Sequence, residues 1–240
     1  MSIAETTCAN ELLASLPAAD LERLEPHLQV AELENGQVLC QSTKAPRHVY
    51  FPTTALVSLL YNTPSGDAMD VAMTGSDGMV GMSFGPALAW APGRAVVQRA
   101  GEALSLPAQV MQEEFARGGP LQWLTLRYTQ LLMAQIAQTA LCNRLHRLDQ
   151  QLARWILTSL DRCGGDRLAV TQQEVARMLG VRREGVSSAV RRLEDDGALY
   201  WGRGRLKVND RAVLERHCCE CYPALRSLSE RLAALTPPAE

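Results

Sequence analysis

The stretch VTQQEVARMLGVRREGVSSAVRRL, residues 170–193, constrains this chain most. Thr171 stands where an N-cap belongs, and Glu174 follows at capping-box spacing. Val175, Met178 and Leu179 then recur on one helical face. Gly180 ends the helix where a left-handed residue is needed, a conformation glycine adopts at little cost. A second helix is predicted over 183–193. Its Val186, Ala189, Val190 and Leu193 point inward, and its Arg183, Glu184, Ser187, Ser188 and Arg191 point outward. Ala176 is small where the two helices would cross, and Val186 fills the angle between them. This is a helix-turn-helix pattern whose second helix offers an Arg/Glu/Ser face suited to base edges. Two short helices about a glycine also describe an ordinary helical hairpin. The sequel separates the two readings. ALYW at 198–201, GRGR at 202–205 and LKV at 206–208 spell strand, glycine turn, strand, with Arg203 and Arg205 at or beside the tip. A wing behind the helices is a far more specific DNA-binding pattern than the helices alone.

Charge is divided along the chain in the same sense. The net is only −2, which argues against a generic nucleic-acid coat. Residues 1–119 carry 6 basic and 13 acidic side chains, a net of −7, whereas 120–240 carry 18 and 13, a net of +5. The front half would repel phosphates and the rear half attract them. At 240 residues and 47% apolar, the chain has material for two domains with real cores. No run approaches the roughly 20 apolar residues that cross a bilayer, and MSIAETTCAN lacks the layout of a signal peptide. A cytoplasmic protein with no membrane partner is expected, its seven cysteines mostly reduced thiols.

Two short helices broken at Pro17 are expected over 10–28, with Leu12, Leu13, Leu16, Leu21, Leu24 and Leu28 inward. Short β-runs follow at 37–40, 48–51, 55–61, 69–73, 79–82, 95–98 and 102–106. Turn residues separate them, among them Asn35-Gly36, Pro64-Ser65-Gly66, Gly75-Ser76-Asp77-Gly78 and Pro92-Gly93. Strands this short with turns this regular predict an antiparallel barrel or roll. A short helix is expected at 108–116. The longest helix, 121–142, has apolar residues at 121, 124, 128, 131, 132, 136 and 140, and Arg127 is its only charge before Arg144. A helix apolar on more than one face must be covered on more than one side. The roll supplies one cover, and the same helix of a second subunit the other. A further helix over 146–163 leads into the winged unit.

This order of parts resembles the Crp/Fnr family of bacterial transcription regulators. HVYFP at 48–52, VSLL at 57–60, GSDGMVG at 75–81 and VTQQEVARMLGVRREGV at 170–186 carry the likeness, which runs from about residue 10 to 222. It implies an α+β chain: a cyclic-nucleotide-binding-like β-roll (1–119), a long dimerisation helix (120–143), a winged helix-turn-helix (144–222) and a C-terminal tail (223–240). It implies a homodimer that places two recognition helices in successive major grooves of double-stranded DNA, about 34 Å apart, and that also meets RNA polymerase. Arg183 and Glu184 match the family's base-reading pair. Where a further arginine usually reads guanine, this chain has Ser188 beside Ser187, so the usual operator is not implied. Thr171, Gln172 and Gln173 near the first helix start, with Arg203 and Arg205 of the wing, would meet phosphate, joined by Arg182, Arg191 and Arg192.

The sensing half departs from the family pattern. Cyclic-nucleotide members present Gly-Glu-Leu, and here the residues are Gly81-Met82-Ser83, whose thioether cannot accept as a carboxylate does. Arg94-Ala95 lies near the position of the phosphate-pairing arginine. An effector other than cyclic AMP is therefore expected around these five residues, and its identity and any cofactor are left open. His217, Cys218, Cys219 and Cys221 form the densest cluster of metal-ligating residue types, although adjacent cysteines rarely chelate one ion and no metal site is assigned. The family's iron–sulfur members use an N-terminal cysteine cluster, and only Cys8 stands there. His48 and His146 are not distinctive as haem ligands. No Walker A loop, Gly-x-Ser-x-Gly elbow or His-Glu-x-x-His is present, so no enzyme is expected. The alternative to a DNA-binding regulator is a thiol- or metal-dependent redox sensor whose winged domain docks a protein.

Overall fold

The computed structural model describes residues 3–41, 45–62, 68–82 and 93–235. Ser83 and the turn residues Pro64–Gly66 and Pro92 lie outside these. Three short helices, α1 (Ile3–Cys8), α2 (Glu11–Ala14) and α3 (Ala18–Leu24), open the chain. Asn10 caps α2, accepting from the Leu12 and Leu13 N–H groups at 3.1 and 3.3 Å. Its amide donates to the carbonyls of Pro52 and Gly78, both at 2.9 Å, and so fastens the helices to the roll. Leu12, Leu13, Leu16, Leu24 and Leu28 are buried as the leucine spacing requires.

Seven strands follow: β1 (Gln29–Leu33), β2 (Val38–Gln41), β3 (His48–Pro52), β4 (Leu56–Asn62), β5 (Ala68–Thr74), β6 (Gly93–Arg99) and β7 (Gly101–Pro107). They form antiparallel sheets ordered β1-β7-β3 and β2-β6-β4-β5, with Leu33, Ala103, Val57, Ala72 and Val97 among the side chains buried between them. Two details differ from the sequence reading. Residues 29–33 form a strand although Gln29 and Glu32 hide any apolar alternation. Residues 79–82 do not form one, and only Val80 bridges to Tyr50. The reason is Gly81, at φ +96°, packed so tightly that a β-carbon would stand 2.6 Å from the His48 carbonyl oxygen.

α4 (Ala108–Arg117), α5 (Gly119–Leu145) and α6 (Leu148–Cys163) come next. α5 buries Leu121, Leu124 and Tyr128 as expected, but then turns Gln135, Thr139 and Cys142 inward and leaves Ile136 and Ala140 exposed. The buried polar groups are satisfied across the joint. Gln135 donates to the Met73 carbonyl at 3.3 Å and accepts from Arg162 at 3.1 Å, and Thr139 accepts from Arg154 at 3.4 Å.

The winged unit comprises β8 (Arg167–Ala169), α7 (Gln172–Leu179), α8 (Arg183–Asp195), β9 (Leu199–Gly202), β10 (Arg205–Val208) and α9 (Arg211–His217), its sheet ordered β8-β10-β9. The expected tail continues as α10 (Cys221–Ala233), which lies along α5. Leu225, Leu228 and Leu232 are half-buried at helical spacing. Arg127 of α5 donates to the Leu232, Ala233 and Leu235 carbonyls and completes the helix end. No helix among the described residues is long and apolar enough to cross a membrane.

The GSDG turn at 75–78 joins roll, α5 and α6. Its two glycines are there for close approach: a β-carbon on Gly75 would stand 2.6 Å from that of Arg162, and one on Gly78 would stand 2.1 Å from the Tyr128 ring. Asp77 pairs with Arg162 at 2.7 Å. The largest apolar cluster runs across this joint, combining Leu56 and Met73 of the roll with α6 and the winged unit.

Candidate nucleic-acid interface

Thr171 closes a reciprocal capping box at the start of α7. Its hydroxyl accepts from the Glu174 N–H at 3.2 Å, and its own N–H donates to the Glu174 carboxylate at 2.7 Å. Gly180 ends the helix in the left-handed region at φ +65°, ψ +33°. Val186, Ala189, Val190 and Leu193 of α8 are buried against α6 and α7, which leaves Arg183, Glu184, Ser188 and Arg191 exposed. At α8's start, Arg182 is the exposed N-cap residue.

The wing is a two-residue hairpin. Arg205 pairs with Gly202, and both Arg203 (φ +52°) and Gly204 (φ +73°) occupy the left-handed region, as a turn matched to the strand twist requires. Arg203 is the only described non-glycine residue with positive φ. Trp201 locks the hairpin down. Its indole donates to the Val170 carbonyl at 3.0 Å, and its N–H donates to Glu194 of α8 at 2.8 Å.

Two contacts bring the three elements onto one surface. The Ser187 hydroxyl of α8 donates to Gln172 at the start of α7 at 2.7 Å, and a β-carbon on Gly204 would sit 3.5 Å from the Thr171 methyl. Thr171, Gln172, Ser187 and the wing tip are therefore contiguous, flanked by exposed Gln173, Arg183, Arg203 and Arg205. Arg192 is drawn aside toward the buried Asp149 of α6, 3.6 Å away. Burial alone would raise that carboxyl, but the Arg147 hydrogen bond and the nearby guanidinium charges hold it below its ordinary value.

In the roll, Gly81 lies against the His48 carbonyl, Met82 packs on the apolar cluster beneath α5, and Ala95 is fully buried in the sheet core. Arg94 pairs in register with Gln41 and Leu60, and its Nε is buried without a hydrogen-bond partner among the described residues.

The four clustered metal-ligating residues of the C-terminal region are divided. His217 pairs with Asp196 at 2.9 Å, and Cys218 is half-buried beside Cys219. Cys219 and Cys221 are buried together with Cys142 and His146 from α5 and its end. Hydrogen bonds from the Cys142 and Cys218 thiols hold the Cys219 thiol well below its ordinary range and push those two up in return. The sequence reading does not single out Cys142, and it weighs His146 only as an undistinguished haem ligand. Their only local signal is a Cys-x-x-x-His spacing on one helical face.

Residues 150–217 match the Crp-like helix-turn-helix domain family. No curated protein sequence matches the chain. Among solved structures, it resembles a Crp/Fnr-family transcriptional regulator from Eubacterium rectale with TM-score 0.67 and 15% identity, over 87% of this chain and 98% of that one. It resembles FixK2 from Bradyrhizobium japonicum with TM-score 0.68 and 14% identity, over 80% and 98%. The c-di-GMP-responsive regulator CLP from Xanthomonas campestris aligns with TM-score 0.64 and 15% identity, over 81% and 100%. Residues 150–217 are thus a Crp-like helix-turn-helix domain, mounted on a roll and long helix whose fold these structures share.

Proposed function

We propose that the protein is a homodimer that reads double-stranded DNA with α8 of each copy, under control of an effector other than cyclic AMP. The observation that carries this is the contiguous surface of α7 start, α8 and wing, where Gln173, Arg182, Arg183, Ser188, Arg191, Arg203 and Arg205 are exposed beside the acidic Glu184. Arg183, Glu184 and Ser188 are assigned to base edges, and Gln172, Gln173, Arg182, Arg191, Arg203 and Arg205 to phosphates. The Thr171 hydroxyl is committed to Glu174, so its part is to hold the positive end of α7 toward a phosphate.

Pairing of two copies is supported by the outer face of α5. Leu126, Met133, Ala137, Ala140, Leu141 and Leu145 are exposed along it, Met133 at 60% and Leu145 at 65%. An apolar stripe of that length is costly in water and self-complementary about a twofold axis. An effector other than cyclic AMP follows from Met82, which brings no carboxylate to the roll and rests on apolar side chains.

Selection from random duplexes, followed by anisotropy titrations between about 50 and 200 mM salt, tests the reading. A twofold-symmetric site is expected, with affinity falling steeply as salt rises because released counterions drive phosphate contacts. Absent or salt-insensitive binding would overturn it in favour of a protein partner.

A further inference from the structure

We propose that Cys142, His146, Cys219 and Cys221 bind one Zn²⁺ ion as a tetrahedral Cys₃His site that ties the end of α5 to the start of α10. Their ligand atoms all lie within 4.8 Å of one another. The Cys142 and Cys219 sulfurs are 3.6 Å apart, and the Cys221 sulfur is 3.5 Å from His146 Nδ1. Zinc at about 2.3 Å from sulfur and about 2.0 Å from nitrogen sets tetrahedral edges of about 3.8 Å between sulfurs and about 3.5 Å between sulfur and nitrogen. Two of the separations thus match the edges one ion would set, and the remaining ligand atoms lie within 4.8 Å, close enough for small side-chain adjustments to complete the tetrahedron. In a [4Fe–4S] cluster each cysteine binds a different iron, which spreads the sulfurs beyond the reach of a single ion.

Local structure presents the ligands in two pairs. Cys142 lies in the last turn of α5 and His146, four residues on, is its C-cap, where the His146 N–H donates to the Cys142 carbonyl at 3.0 Å. Cys219 and Cys221 straddle the turn between α9 and α10, with Glu220 as N-cap. Gln151 of α6 closes the corner by donating to the His146 carbonyl at 2.8 Å.

The surroundings are those of a metal site as well. His146 Nε2 meets Glu220 at 3.1 Å, which orients the ring and leaves Nδ1 toward the sulfurs, as an outer carboxylate does for ligating histidines. Three thiolates and one imidazole around Zn²⁺ leave one negative charge. The buried Arg154 lies near enough to act electrostatically on Cys142, and its Nε has no hydrogen-bond partner among the described residues. Its cation offsets that charge. Because the site sits where α5 hands over to α6, a bound ion fixes the angle at which the winged unit hangs from the long helix.

Elemental analysis of protein purified anaerobically without chelator is the test. One zinc per chain is expected, lost in Cys142→Ser and Cys219→Ser but retained in Cys8→Ser and Cys163→Ser, which lie outside the cluster. Exchange of the wild-type protein with Co²⁺ should give the intense visible bands of a tetrahedral thiolate site. His146→Cys should keep the metal and strengthen the sulfur-to-cobalt charge transfer. If the serine variants fail to fold, zinc content and the cobalt spectrum of the wild type decide alone. Absence of both zinc and a tetrahedral cobalt spectrum would overturn the proposal. So would iron in place of zinc, a Cys142–Cys219 disulfide in fresh protein, or stoichiometry unchanged in folded Cys142→Ser.

Discussion

Asp70 of β5 is buried, with its Oδ2 accepting from the Ser58 hydroxyl at 2.9 Å and its Oδ1 unpartnered among the described residues. Burial pushes its carboxyl up to about 7, although the Ser58 hydrogen bond and the charges of Arg154 and Arg162 pull the other way. The native protein therefore holds a proton that the unfolded chain has released. Stability from this group is full below the ordinary value of 3.8 and is lost as pH rises through about 7. Asp70→Asn keeps an oxygen for Ser58 and removes the buried charge. Urea denaturation should show the variant more stable than wild type at pH 8, with a flatter profile between pH 4 and 7; an unchanged profile would refute this. Two arginines of the winged unit should separate in the opposite manner to each other. Arg183→Ala should relax base preference by about 1–3 kcal/mol, whereas Arg203→Ala should weaken all duplexes alike and lower the salt slope by about one. Competition titrations against single-base variants distinguish the two.

Among elements, α5 is the one whose roles divide by face. Its inner face is partly polar and satisfied by Arg154, Arg162 and the Met73 carbonyl, whereas its outer face is apolar and bare. Helical periodicity located the helix and called for cover on more than one face, but it did not say which apolar residues meet the roll, because apolar content alone cannot tell a core face from an interface. Met133→Glu should place like charges across the twofold axis. Sedimentation should then report a monomer, and DNA affinity should drop by about tenfold or more as each half-site binds alone. A variant that remains dimeric would show that another surface joins the copies. α7 and α8 contrast with α5, since a capping box and a C-terminal glycine are local signals and bound them almost to the residue. Residues 79–82 read as a strand by composition, yet close packing around Gly81 reduces them to one bridge.

In the whole molecule, the roll shares a core with α6 and the winged unit, and an ion pair with α6, instead of meeting them only through α5. Arg162 of α6 pairs with Asp77 and bonds Gln135, its carbonyl receives Ser76, and Arg99 of β6 donates to the Cys163 carbonyl at 2.7 Å. Arg162→Ala leaves Asp77 mostly buried without its cation and should cost about 3 kcal/mol. The urea midpoint should fall, and limited proteolysis should begin near the GSDG turn. A shift under about 0.5 kcal/mol would mean that the pair is a surface ornament. The sequence by itself determined what depends on neighbours a few residues apart: the capped helices of the winged unit, its glycine hairpin, the leucine spacing at the front and the existence of α5. Only the tertiary structure decided which face of α5 is covered, that the GSDG turn is the joint, and that Cys142 and His146 meet Cys219 and Cys221. Periodicity and caps are written into adjacent residues. Contacts across 70 or more positions, such as Cys142 with Cys219 and Asp77 with Arg162, exist only once packing has chosen one arrangement of the elements.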